Sequence, residues 1–115
     1  MQRIRIYAGT DGESHFAGLM PEALNAYGQR VSGSGALTVM NSQAFADYQP
    51  VSSPRLAVIT AGVHEYRTAY GVRRLFPGDV VVLDDTSGRG HSLAAIGISP
   101  AVSLHFPIGP GPADH

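Results

Sequence analysis

Apolar and polar residues change places over short runs along this chain, and the pattern predicts strands more often than helices. Arg3 to Tyr7 alternates, with Ile4 and Ile6 on one face, and reads as a first strand at a sheet edge. Asp11-Gly12 is a turn, and Glu13 to Phe16 starts a second strand. Pro21 to Leu24 predicts one helical turn with Pro at its first position, too short for a main element. Ser32 to Gly35 reads as a loop, and Leu37 to Met40 resumes as a strand. Leu56 to Thr60 is a strand ended by Ala61-Gly62. Val63 to Tyr70 then places His64, Tyr66, Thr68 and Tyr70 on one face, against Val63, Glu65, Arg67 and Ala69 on the other. The face with two charges is read as wet, which points His64 and Tyr66 inward. Tyr70-Gly71 is a hairpin turn leading to a return strand, Val72 to Leu75. Val80 to Leu83 is apolar without alternation, as in a strand covered on both faces. Leu93 to Ile98 and Ala101 to Phe106 complete the series. In the last strand Val102, Leu104 and Phe106 share a face opposite Ser103 and His105, so His105 is expected to be exposed.

About nine short strands at close spacing predict an all-β sandwich or barrel. With 115 residues the chain has room for one core. We place a single domain at 1–108 and a Gly/Pro-rich, fraying tail at 109–115. Charged residues are only 15% and net charge is −1, with no basic block, which argues against a nucleic-acid partner. No Cys is present, so disulfides, thiolate metal sites and Cys nucleophiles are excluded. The first residues lack the apolar run of a leader, and no stretch is long enough to span a bilayer; a cytoplasmic location without membrane contact is expected.

The most informative stretch is Leu75 to His91. Pro77-Gly78 fits a tight turn, the buried strand follows, and Asp84, Asp85, Thr86 and Ser87 carry oxygens that stop it and close a loop. Gly88 and Gly90 then let the chain fold tightly before His91. Together with the strand and hairpin before it, the run from Arg55 to His91 resembles the small single-domain cupins. In those, Pro-Gly-Asp precedes a buried strand and a loop of the form acidic-Asp-Thr-Thr-Gly-Lys/Arg-Gly-His. Here that loop is Asp84 to His91, and Asp11 to Phe16 also looks like the start of such a chain. The resemblance implies a jelly-roll β-barrel, usually a homodimer, with a small-molecule cavity inside.

Metal-binding cupins carry His-x-His, then Glu, then a Gly seven residues later. Counted back from Gly62, the Glu position is Arg55, and the two His positions fall near Gln49 and Val51. None is a good ligand, and an Arg repels a divalent cation. Only His91 remains, so no metal and no cofactor is expected. His91 becomes a candidate general acid/base, with His64 and Tyr66 as catalytic partners. Gln49, Val51 and Arg55 are the candidate substrate-binding residues. Beside Pro54, Arg55 reads as an outward rim residue; turned inward it would hold a carboxylate or enolate oxygen. His15 reads as a strand residue at a dimer edge, although a rebuilt three-His site with His64 and His91 is conceivable. The reading is a metal-independent isomerase, cyclase or lyase acting on a small organic substrate, of a kind found in bacterial secondary metabolism. The alternatives are a metal-dependent oxygenase or isomerase with non-standard ligands, a non-catalytic binding module, and a structural dimer with a filled barrel.

Overall fold

The computed structural model of the chain describes residues 1–41 and 44–109. Among the described residues nine strands and one helix follow in order: β1 (Arg3–Ala8), β2 (Ser14–Gly18), α1 (Pro21–Gly28), β3 (Ala36–Met40), β4 (Arg55–Ala61), β5 (Val63–Thr68), β6 (Gly71–Leu75), β7 (Val80–Asp84), β8 (Ser92–Ile96) and β9 (Ala101–Pro107). They form a six-stranded sheet, β2-β1-β7-β4-β9-β3, and a three-stranded sheet, β6-β5-β8. The all-β jelly-roll expectation holds.

The unbroken Val80–Leu83 run has two different coverings. Val81 and Leu83 join Ile4, Ile6, Ala57 and Ile59 in one core, facing Tyr66 and Leu75 of the small sheet. Val80 and Val82 join Leu19, Leu56 and Ile108 in a second core, closed by Ala23, Leu24 and Tyr27 of α1. A strand buried on both faces cannot alternate, because neither face gains from a polar side chain.

Three local expectations change. β1 is not an edge strand: it lies between β2 and β7 and runs parallel to β7, Ile4 opposite Val81 and Ile6 opposite Leu83. The helix is 8 residues rather than one turn, and it covers the back of the large sheet. Glu65, expected on a wet face, is buried and bound by the Arg74 guanidinium at 2.6 Å. Of the expected tail, Gly109 is tied to the body, its carbonyl accepting from Arg30 Nε and Nη2 at 3.1 and 3.0 Å. The rest of the tail, including His115, lies outside the described residues.

The Pro77-Gly78-Asp79 turn is built into the framework. The buried Asp79 carboxylate accepts from the Phe76 N–H at 2.8 Å and the Gln2 N–H at 2.7 Å. Gly78 N–H donates to the Ile59 carbonyl at 2.8 Å. One turn thereby fixes the start of β7 against both β1 and β4.

Candidate active site

Small inward side chains open a space between the sheets. Ala57 on β4 and Ala101 and Ser103 on β9 are all buried. Beside them lies a cavity of about 220 Å³. The large sheet contributes Arg55, Leu83, Ser103 and His105 to its wall, and the small sheet contributes His64, Tyr66 and Leu93. His91 and Val51 close one end.

His91 arrives by strand alternation followed by a glycine turn. Leu83 points into the core, Asp84 points out to Arg5 at 2.8 Å, and Asp85 points in again. Gly90 has φ +82°, and a Cβ on it would sit 2.0 Å from the Gln49 carbonyl carbon. Only glycine lets the 46–51 segment lie across the loop here. That segment straps the site: His91 and Gln49 exchange backbone hydrogen bonds at 3.1 and 3.2 Å, and Val51 N–H donates to the Asp85 carbonyl at 3.0 Å.

Asp85 is fully buried, with Oδ2 2.7 Å from His91 Nδ1 and 2.8 Å from the donating Ser14 hydroxyl. A carboxylate at Nδ1 selects the tautomer in which Nδ1–H donates, leaving Nε2 as the basic nitrogen. The Tyr66 ring is tilted against His91, centroids 5.5 Å apart. Tyr66 is fully buried and its hydroxyl has no partner among the described residues. Burial pushes that phenol well above its ordinary range, so it stays protonated and can donate.

Two further histidines face the cavity in neutral form. His64 Nε2 meets the Val102 carbonyl at 3.3 Å, and burial lowers its pKa. His105 Nε2 lies 2.8 Å from Ser103 Oγ, and burial, then the nearby Arg55 charge, lowers its pKa. The Nδ1 atoms of both are buried, and that of His105 has no partner among the described residues.

Of the residues singled out from sequence, His91, His64, Tyr66, Val51 and Arg55 meet at this cavity. Gln49 does not line it: its side chain is exposed and only its backbone engages His91. Arg55 faces inward rather than outward, because it shares its β4 face with Ala57 and Ile59 of the inner core. His105 also faces inward, not to solvent, since α1 claims the opposite face of the sheet. His15 lies on the outer surface with Asp11. The sequence reading assigned no chemistry to Asp85 or Ser14. Continuing the alternation of Val81 and Leu83 by one step would have turned Asp85 inward.

The fold is that of a small cupin-type protein. The cupin domain of Schizosaccharomyces pombe Cnp3 superposes with a TM-score of 0.50 at 15% identity, covering 84% of this chain and 72% of that one. A Salmonella typhimurium protein described as ethanolamine utilization protein Q gives 0.50 at 12% identity, covering 94% and 95%. No family model and no curated relative matches the sequence.

The metal centre that such a fold implies does not fit these residues. The counted carboxylate position holds the Arg55 guanidinium, turned into the cavity, and a neighbouring ligand position holds the aliphatic Val51. Among the described residues no three His, Cys, Asp or Glu side chains are grouped to hold a metal ion.

Proposed function

We propose that the chain is a small-molecule enzyme that moves a proton within its internal cavity, as an isomerase, cyclase or lyase. The observation that carries this reading is the buried His91–Asp85 pair beside the unpartnered Tyr66 hydroxyl, all at one cavity. His91 Nε2 takes a proton from carbon next to a carbonyl. The C–H electron pair shifts to form an enolate, whose oxygen accepts from Tyr66 O–H. Asp85 stabilises the imidazolium that results, and His91 returns the proton at another atom or to a leaving group. Ser14 holds Asp85 in place and acts as a positioning residue.

Deuterium wash-in tests this directly. A panel of small enolisable ketones and keto acids is incubated with the protein in D₂O and followed by proton NMR. Exchange at one α-carbon is expected, with a loss of at least about 100-fold in His91→Ala, the usual scale of a general base. Binding of a panel member without exchange would instead support a binding module.

A further inference from the structure

The eight basic residues of the chain are all arginines. Seven have partners. Arg5 pairs with Asp84, Arg67 and Arg74 with Glu65, and Arg89 with Glu13. Arg3, Arg30 and Arg73 donate to backbone carbonyls. Arg55 alone has no hydrogen bond or ion pair among the described residues, and it is the one that faces the cavity. The described cavity wall holds no carboxylate side chain to answer it. Asp85 lies behind His91; its Oδ2 is taken by His91 and Ser14, its Oδ1 is buried without a partner among the described residues, and it is not part of the cavity wall.

A half-buried guanidinium without a counter-charge is costly to keep, and Arg presents a planar fork suited to a carboxylate. Its neighbours add a hydrogen-bond donor and no second positive charge. Tyr66 offers an unpartnered hydroxyl, and the imidazoles of His64 and His105 are held neutral. The wall is otherwise apolar on the Leu83, Leu93 and Val51 side. A dry apolar cavity of about 150 Å³ accommodates benzene. The space here is about 220 Å³.

Taking this cavity as the site proposed above, we infer that its ligand is a small organic monoanion of roughly nine non-hydrogen atoms by that benzene scale. Its carboxylate or enolate oxygens sit on Arg55, and its apolar body lies against Leu83 and Leu93.

Benzoate and its neutral isostere benzamide are the probes, followed by proton–nitrogen NMR titration of the intact chain. Benzoate is expected to bind at least about tenfold more tightly, a difference of about 1.4 kcal/mol. Arg55→Gln should abolish that preference and Arg55→Lys should retain most of it. Equal affinity for the two probes, binding of neither, or a preference that survives in Arg55→Gln would overturn the inference. His91→Ala should cut deuterium exchange by at least about 100-fold while benzoate is still preferred over benzamide. Exchange that depends on His91 without a benzoate preference would sink the anion claim and spare the proton transfer. The reverse result would sink proton transfer and spare the anion.

Discussion

Two histidine–aspartate pairs sit on opposite faces of β2, and they differ in almost everything but their chemistry. Ser14 and His15 are neighbours whose side chains point oppositely. Ser14 reaches inward to Asp85, the partner of His91, while His15 reaches outward to Asp11. The inner pair is 2.7 Å long with side-chain exposures of 10% and 0%. The outer pair is 3.0 Å long with exposures of 30% and 39%. Water can replace either partner of the outer pair and screens its attraction. No water reaches Asp85, so each donor it loses leaves a polar atom stranded. The outer pair is held instead by its surroundings. His15 is stacked between Tyr7 and Tyr70, and Asp11 also accepts from the Tyr70 hydroxyl and the Glu13 N–H. Similar side chains thus make a surface clasp on one face and a candidate catalytic unit on the other, and burial makes the difference.

Removing the carboxylate from each pair should expose that contrast most strongly. Asp85→Ala is expected to cost about 2–6 kcal/mol, because it strands two buried donors, His91 Nδ1–H and the Ser14 hydroxyl, at about 1–3 kcal/mol each. Urea denaturation is the measurement. Asp11→Ala should shift the same curve far less, and a comparable shift would contradict the contrast.

Acidification should separate the two faces next. Burial lowers the pKa of His64 and His105 below their ordinary 6.5. The unfolded chain then binds more protons than the folded one, so stability is present above that value and is lost as pH falls through it. The slope is at most about 1.4 kcal/mol per pH unit for each group. Denaturation curves between pH 7 and 5 should show this, and His64→Gln should flatten part of the slope. On the outer face, Asp11 responds in stronger acid. Hydrogen bonds from Tyr70, the Glu13 backbone and His15 hold the Asp11 carboxyl well below its usual range. Its contribution is complete above about 4, the ordinary carboxylate value, and is lost as pH falls further.

Smaller effects distinguish support from catalysis. Ser14→Ala should cost about 1 kcal/mol, the net value of one hydrogen bond. It should also move the His91 ring signals in NMR and shift the pH profile of deuterium exchange, which a merely structural serine would not do. Tyr70→Phe should leave exchange unchanged and produce the smallest stability change of the set.

Much of this was legible in the alternation of residue types. His64 and Tyr66 were expected inward because Glu65 and Arg67 oppose them, and both line the cavity. Val80 to Leu83 was expected to be covered twice, and it is. Arg55 was placed on the rim because it stands beside Pro54, and His105 outside because its strand alternates. Alternation says which residues share a face but not which face meets the cavity. With α1 reduced to a single turn, Val102, Leu104 and Phe106 had no cover except the barrel interior. In the structure α1 and Ile108 make a second apolar core behind the sheet, with Phe106 packed against it. That frees Ser103 and His105 to face the cavity.

The sequence by itself determined the strands, the turns and the loop that ends on His91, because these depend on near neighbours. Glycine at Gly90 and alternation through Asp85 are written locally. Only the tertiary structure decided what His91 meets. Ser14 and Asp85 are 71 residues apart, and the strap that pairs with His91 comes from Gln49. The parallel docking of β1 on β7, with β2 carried at its side, is what brings Ser14 to Asp85. The inward turn of an unpaired Arg55 was likewise set by the packing of two covers on one sheet, which no local pattern encodes.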